Sequence, residues 1–168
     1  MPLHIRRAQP ADAAVIAAIY NQGMAERAAT FETTPREPGE IEARLHETDR
    51  YPLLVAVNAT NAVVGWAGVT SYRPRACYAG IGEFSIYLDR DARGYGVGTA
   101  RLAALVDEAR ACGYWKLLSR IFPANTASRS LCRTCGFREV GTYEKHGRLD
   151  GQWMDVVIVE RLIPENLR

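Results

Sequence analysis

Two periodicities alternate in the pattern of hydrophobic and polar residues along this chain of 168 residues. Apolar residues recur at helical spacing from Ala11 to about Arg27, which predicts an amphipathic helix. From Gly80 to Leu88 the alternation has a period of two, which predicts a strand with one apolar and one polar face. The apolar face carries Phe84, Ile86 and Leu88, and the polar face carries Glu83, Ser85 and Tyr87.

Periodicity and turn residues predict short elements in the rest of the chain. Further helices are predicted from Pro38 to Glu47, from the glycine-rich turn to Cys112-Gly113, and from Asn125 to Thr134. The other predicted strands are His4–Ala8, Leu53–Val57, Val63–Thr70, Leu117–Phe122, Phe137–Tyr143 and Trp153–Leu162. A loop from Glu144 to Gln152 is expected to join the last two, which run antiparallel. The order β-α-α-β-β-β-α-β-α-β-β, without a repeat or linker, predicts a single α/β domain (1–168) with a mixed sheet.

Composition and charge exclude several function classes. Hydrophobic residues make up 48% and charged residues 24% of the chain, as in ordinary soluble globular proteins. The formal net charge of +2 is too small to indicate a nucleic-acid partner. No apolar run is long enough to span a membrane, and Asp12 before the apolar stretch 13–19 indicates an amphipathic helix rather than a signal peptide. We therefore expect a cytoplasmic protein without nucleic-acid or membrane partners.

The chain has four cysteines, and a cytoplasmic location predicts that they are reduced. Cys132 and Cys135 form a C-x-x-C motif, which is compatible with metal or dithiol chemistry. The alternative is two small residues at helical spacing, with one or both facing the core. No second C-x-x-C and no paired histidine completes a zinc site, so we predict no metal.

A glycine-rich turn, Arg93-Gly94-Tyr95-Gly96-Val97-Gly98, lies between the strand that ends at Leu88 and a predicted helix. Backbone N–H groups at such a turn, together with the positive end of the helix dipole, suit a phosphate or pyrophosphate. The turn lacks the Lys-Ser or Lys-Thr of a P-loop, and Thr99 stands where a dinucleotide fingerprint has its third glycine or alanine. The turn therefore predicts a phosphorylated cofactor, but neither as part of a P-loop nor as part of a dinucleotide-binding fingerprint.

The turn does match Arg/Gln-x-x-Gly-x-Gly/Ala, the coenzyme A pyrophosphate loop of the GNAT acetyltransferases. The segment from Asn125 to Phe137, Asn-x-x-Ser-x-x-Leu-x-x-x-x-Gly-Phe, and the opening Ile5-Arg6-Arg7-Ala8 with Asp12 are also typical of this family. Within it, the chain resembles the phosphinothricin, arsinothricin and methionine sulfone or sulfoximine acetyltransferases. The matching pieces are Ile19–Asn21, Thr30–Thr33, Arg50–Pro52, Arg73–Arg75 with Tyr78, Glu83–Tyr87 and Gly151–Val156. The resemblance covers about Ile5 to Ile163.

The resemblance implies a GNAT fold, in which helices flank a mixed, mostly antiparallel central sheet, and it implies a homodimer. It also implies acetyl-CoA as co-substrate and transfer of the acetyl group to the α-amino group of a small glutamate-like or methionine-sulfone-like amino acid. Phosphinothricin, arsinothricin, methionine sulfoximine and methionine sulfone are the candidate substrates, and their acetylation would confer resistance by detoxification. The alternatives are another small amine, a protein N-terminus, or a non-catalytic acyl-CoA-binding sensor domain.

Glu83 is the candidate general base, because it stands where the resembled group carries its catalytic glutamate and a carboxylate helps to deprotonate an ammonium. The alternative is a surface glutamate on a half-exposed strand. Arg73 and Arg75 are candidates for the anionic end of the substrate, since a guanidinium fork matches such groups. Tyr78 can add a hydroxyl donor, and the alternative is a solvated basic loop. The other candidate substrate contacts are Phe31, Phe84, Ser85 and Tyr87.

The coenzyme A contacts that the resemblance implies are Ile86, Leu88, Arg93, Gly94, Tyr95, Gly96, Val97, Gly98, Thr99, Asn125 and Ser130. A backbone N–H near Ile86 to Leu88 is the expected oxyanion donor. Cys132 is a departure from the family pattern, because many GNAT enzymes have a tyrosine there that protonates the leaving thiolate, and phosphinothricin acetyltransferases have a histidine. A thiol with an ordinary pKa of about 8.5 could donate this proton weakly. Alternatively, Cys132 packs in the core and solvent protonates the thiolate.

Overall fold

The computed structural model describes residues 3–168, and most elements lie close to where the sequence predicts them. The strands are β1 (His4–Arg7), β2 (Leu53–Val57), β3 (Val63–Ser71), β4 (Ile81–Leu88), β5 (Lys116–Ile121), β6 (Arg138–Leu149) and β7 (Gln152–Leu162). The helices are α1 (Ala13–Ala25), α2 (Pro38–Leu45), α3 (Val97–Ala111) and α4 (Thr126–Thr134). None of the helices in the described range is long and apolar enough to cross a membrane.

The seven strands of the described chain join in one sheet with the order β1-β2-β3-β4-β5-β7-β6. Neighbouring strands run antiparallel, except for the parallel pair of β4 and β5. The predicted α/β fold with a mixed, mostly antiparallel sheet is therefore confirmed.

The parallel pair of β4 and β5 separates after three residues. β3 pairs with β4 along the strand, from Gly82 to Leu88. β5 pairs with β4 only at Ile81, Gly82 and Glu83. Beyond Glu83 the two strands are no longer hydrogen-bonded, so a gap opens between them on the side that leads to the glycine-rich turn.

Helices cover both faces of the sheet, and each face has its own apolar core. α3 and α4 pack on the face that carries Phe84. α1 and α2 pack on the face that carries Trp66 and Tyr87. Because side chains alternate along a strand, Glu83 and Ser85 lie on the same face of β4 as Tyr87.

Residues suited to a helix N-terminus stand at the beginning of three of the helices. α2 has Pro38 in its first turn, and Glu37 and Glu40 form a capping box. α3 follows Gly96, whose φ of 73° lies in the left-handed region that glycine adopts at little cost. α4 is capped by Asn125, whose side-chain oxygen accepts a backbone N–H of the first turn at 3.1 Å.

The last hairpin differs from its prediction. The sequence predicts a loop from Glu144 to Gln152, but β6 continues to Leu149 and a two-residue turn joins it to β7. This turn, Asp150-Gly151, has φ values of 50° and 78°, as a type I′ hairpin turn requires. The prediction was wrong because most residues of β6 are exposed, so the strand shows no apolar alternation.

Candidate active site

A cavity of about 640 Å³ lies where β4 and β5 separate. Its walls come from α1, from α2 and the segment before it, from the five strands β3 to β7, and from α4 with the segment before it. The predicted site residues that line it are Phe31, Glu83, Phe84, Ser85, Ile86, Tyr87, Asn125 and Cys132. These residues are far apart in the sequence, and the fold brings them together.

The other predicted site residues lie outside this cavity. Arg73, Arg75 and Tyr78 line a second depression of about 290 Å³, formed in part by the loop between β3 and β4. The remaining predicted coenzyme A contacts line neither cavity: Leu88, Arg93, Gly94, Tyr95, Gly96, Val97, Gly98, Thr99 and Ser130. The structure thus separates the predicted arginine pair from Glu83 instead of placing them in one cavity.

Glu83 forms an ion pair across the opening of the gap. Its Oε1 accepts hydrogen bonds from Nε and Nη2 of Arg120 at 3.1 and 2.5 Å. Arg120 lies on β5, two residues beyond the last position that pairs with β4. The pair fixes the carboxylate at the point where the strands separate. Arg120 is not among the predicted site residues, because alternation along β5 does not indicate which carboxylate faces it.

Aromatic residues form two walls of the cavity. The ring of Tyr87 stacks on Trp66 with 5.0 Å between centroids and lies 4.9 Å from the ring of Tyr20. Burial raises the pKa of Tyr87 above its usual range, so the hydroxyl is protonated at neutral pH and can donate a hydrogen bond. Phe31 packs edge-on against Phe122 at 5.0 Å, and therefore reaches the cavity of its own chain.

Cys132 lines the cavity from α4 and is only 1% exposed. Burial raises the pKa of its thiol to about 12. A proton on such a thiol is held more tightly than on an ordinary thiol, whose pKa is about 8.5. Transfer of that proton to a leaving thiolate is therefore uphill. Cys132 and Cys135 are free thiols, and no group of three or more metal-ligating side chains occurs in residues 3–168.

The backbone of β4 directs N–H groups into the gap. The N–H of Asp89 donates to the carbonyl of Val64 at 2.9 Å, which fixes the phase of the hydrogen-bonded pairs between β3 and β4. Because such pairs alternate in an antiparallel ladder, the N–H groups of Ile86 and Leu88 point away from β3 and toward β5. β5 pairs with β4 only as far as Glu83, so these two N–H groups face the gap.

The glycine-rich turn continues from this strand to the N-terminus of α3. Gly94 and Gly96 have φ values of 87° and 73°, and a Cβ on either would meet no atom within 4 Å. The backbone is therefore open to a ligand at the positive end of α3. The side chain of Arg93 pairs with Glu26 at 2.8 Å, which leaves the backbone of the turn as its main donor set.

The sequence and the fold of this chain are similar to those of known acetyltransferases. Residues 3–138 match the family described as the acetyltransferase (GNAT) domain. The chain is 35% identical to an L-methionine sulfoximine/L-methionine sulfone acetyltransferase of Pseudomonas aeruginosa, over 95% of this chain and 94% of the relative. It is 32% identical to a phosphinothricin N-acetyltransferase of Alcaligenes faecalis, over 94% and 81% of the two chains. The crystal structure of a GNAT superfamily phosphinothricin acetyltransferase from Sinorhizobium meliloti in complex with AcCoA superposes with a TM-score of 0.89 at 34% identity, covering 97% of this chain and 89% of that chain.

Proposed function

Because the chain belongs to the GNAT family of acetyltransferases, we propose that it transfers the acetyl group of acetyl-CoA to the α-amino group of a small amino acid. Family membership itself confirms the predicted GNAT fold, the reaction class and the co-substrate, so the chain is an acetyl-CoA-dependent N-acetyltransferase. The names of the similar proteins support methionine sulfone, methionine sulfoximine and phosphinothricin as substrates. Arsinothricin is a further candidate, and acetylation of any of these compounds would provide resistance by detoxification.

The position of Glu83 is the observation that carries the proposal. Glu83 lines the cavity at the point where β4 and β5 separate, on the strand whose Ile86 and Leu88 N–H groups face the gap. A substrate ammonium in the cavity loses a proton to this carboxylate, directly or through a water. The amine nitrogen then forms a bond to the thioester carbon, the carbon–sulfur bond breaks, and the nitrogen loses its second proton to solvent as the amide forms. A backbone N–H near Ile86 to Leu88 stabilises the oxyanion, and the leaving thiolate takes a proton from solvent.

The residues that would hold acetyl-CoA are those whose backbone is open at the gap and the turn. We assign the pantetheine arm to Ile86 and Leu88 and the pyrophosphate to the N–H groups of Arg93–Thr99. Asn125 lines the cavity, but its Oδ1 caps α4 and its Nδ2 lies 3.4 Å from the carbonyl oxygen of Ala28. Asn125 is therefore proposed to contact coenzyme A only through its remaining amide hydrogen. The exposed Ser130 is the weaker contact.

The loop between β3 and β4 is proposed to take the side-chain end of the substrate. Arg73 and Arg75 are exposed, and they line the second depression together with Tyr78. The same depression reaches Ile81, which lies two residues before Glu83 on β4. An acidic or sulfone side chain that extends past the end of β4 would meet these donors. Cationic polyamines are disfavoured, because like charges would meet.

The test measures thiol release from acetyl-CoA with each candidate amino acid. Turnover supports the proposal, and Glu83→Gln should lower kcat by about a hundredfold or more with little loss of coenzyme A affinity. Glu139→Gln is the matched control, because Glu139 is also ion-paired, with Arg129 at 2.8 Å, but lies outside the cavity. Unchanged turnover of Glu83→Gln would remove the assigned base.

The same assay separates the alternatives. Turnover with polyamines or peptides instead of amino acids would indicate a different acetyltransferase, and binding of acetyl-CoA without turnover would indicate a sensor domain.

We also propose that the protein is a homodimer, because Val140, Tyr143 and Trp153 on β6 and β7 are large exposed hydrophobic residues. Light scattering tests it, and a monomeric mass would contradict it. The cytoplasmic location stays a prediction.

A further inference from the structure

Three arginines line the cavity, and their partners differ. Arg36 is shared by two glutamates, at 2.7 and 3.1 Å. Arg120 is paired with Glu83. The ion pairs in the cavity are made by Arg36 and Arg120. Arg44 of α2 forms no salt bridge with any residue in the described range 3–168. Arg44 is therefore the cavity cation that is left for a ligand.

The guanidinium of Arg44 lies against the sheet at Gly68 of β3. A Cβ on Gly68 would lie 2.4 Å from its Nη2, so the absence of a side chain there makes room for it. Nη2 donates to the carbonyl oxygen of Val69 at 3.1 Å, and the guanidinium carbon lies 5.7 Å from the ring centroid of Trp66.

Arg44 makes one side-chain hydrogen bond within residues 3–168, through Nη2, so most of its N–H donors are unused. Its Nε is buried and has no hydrogen-bond partner within residues 3–168. A buried donor on a charged group is costly unless something supplies an acceptor. Burial lowers the pKa of Arg44 to about 10, and repulsion by Arg36 adds to the effect, so the group still carries its charge at neutral pH. An anionic ligand in the cavity would compensate the charge through the Nη groups.

The guanidinium of Arg44 and the side chain of Glu83 lie over the same face of the sheet, at neighbouring positions of β3 and β4. Gly68 pairs with Ser85, and Thr70 pairs with Glu83, so Gly68 and Glu83 are diagonal neighbours. Such neighbours are about 7–8 Å apart in an antiparallel pair. An amino acid between them can direct its ammonium to the carboxylate and its own carboxylate to the guanidinium, because both groups are attached to one carbon.

We infer that Arg44 binds the α-carboxylate of the substrate whose amine faces Glu83. The inference rests on the proposed function and deepens it, since it names the side chain that holds the acid group common to all the candidate substrates. A guanidinium binds a carboxylate through two parallel N–H donors, and Nη1, which is not fully buried and makes no hydrogen bond within residues 3–168, can supply them together with Nη2. Arg73 and Arg75 are then left for the polar group of the substrate side chain.

The test compares methionine sulfone with its carboxamide, which has the same amine and side chain but no carboxylate. Arg44→Met should raise KM for methionine sulfone by about tenfold to a hundredfold, the effect of losing a hydrogen bond between charged groups. KM for the carboxamide should hardly change, and kcat should change less than KM. Arg44→Lys should recover part of the loss, because it keeps the charge without the fork. Arg110→Met is the control, since Arg110 lies on α3 and pairs with Asp107 outside the cavity.

The outcomes separate this inference from the proposed function. An equal rise in KM for both compounds would overturn the inference, because it indicates a structural role. An acid-specific loss in Arg73→Gln or Arg75→Gln, with none in Arg44→Met, would also overturn it while the proposed function stands. If the wild-type protein acetylates none of the candidate amino acids, the proposed function fails and the inference fails with it. Thermal unfolding checks the fold of each variant, and Arg44→Lys carries the comparison if Arg44→Met is unfolded.

Discussion

Replacement of Arg101 by methionine should stabilise the protein, although it removes a charged residue from α3. Arg101 is only 1% exposed, and its Nε and Nη1 have no hydrogen-bond partner within residues 3–168. The guanidinium lies against β3, where a Cβ on Gly65 would come within 1.7 Å of Nη1. Burial lowers the pKa of Arg101 to about 9, so the side chain still carries its charge at neutral pH.

The magnitude follows from this unpaired burial. Burial is the one cause of the lowered pKa, and no neighbouring carboxylate of the described chain opposes it. Where the replacement of buried ionic groups by apolar residues of similar volume stabilises a protein, the free energy of unfolding rises by about 1–4 kcal/mol. Methionine is long and flexible enough to fill most of the space of an arginine. We therefore expect a gain of about 2 kcal/mol, which raises the Tm of a chain of this size by about 4–8 °C.

Thermal and urea unfolding of the protein without ligand measure this gain. Arg110→Met is again the matched control, because Arg110 lies on the same helix but is exposed and pairs with Asp107 at 3.0 Å. That control should change the free energy of unfolding by less than about 0.5 kcal/mol. If the Tm of Arg101→Met is equal to or below that of the wild type, the reasoning is refuted, because the charge must then be compensated in the folded protein.

Two further predictions concern an ion pair and a buried thiol. The Arg6 guanidinium holds the pKa of Asp12 below its usual range, so the stabilisation is present above the ordinary aspartate pKa of about 4 and is lost as the pH falls through the lowered value. Asp12→Asn should therefore weaken the fall in the free energy of urea unfolding at acid pH. An unchanged dependence of this free energy on pH would contradict the prediction. Cys132→Ala should keep kcat within about twofold and lower the free energy of unfolding by about 1–2 kcal/mol. A loss of kcat by about tenfold or more would instead assign the thiol a role in proton transfer.

The strands and the glycine-rich turn could be predicted because their signals are local. The period-two alternation places β4 to within one residue, and Gly94 and Gly96 adopt the left-handed conformations for which glycine is suited. The turn at Asp150-Gly151 has an equally local signal, but the polar residues at the end of β6 predict a loop. A strand that buries neither face lacks the alternation by which strands are recognised.

Arg44 and Arg120 could not be predicted, because their contacts depend on the arrangement of the strands. Arg120 pairs with a glutamate 37 residues earlier, and Arg44 bonds to a carbonyl oxygen 25 residues later. Periodicity indicates which face of an element is polar, but it does not indicate which other polar face lies opposite. The resemblance to a family predicts a catalytic role for Glu83, because that residue lies in a motif. It predicts no role for Arg44 or Arg120.

The unpaired charge in the cavity is a property of the fold and not of the composition. A net charge of +2 does not indicate where a cation is left without a partner. In the cavity, Arg36 and Arg120 are held by glutamates, while Arg44 has no carboxylate partner within residues 3–168. A cation and a carboxylate over the same face of the sheet complement the carboxylate and ammonium of a free amino acid. The same pair disfavours a polyamine, whose second ammonium would meet Arg44, and a protein N-terminus, whose first carboxyl group is consumed in a peptide bond.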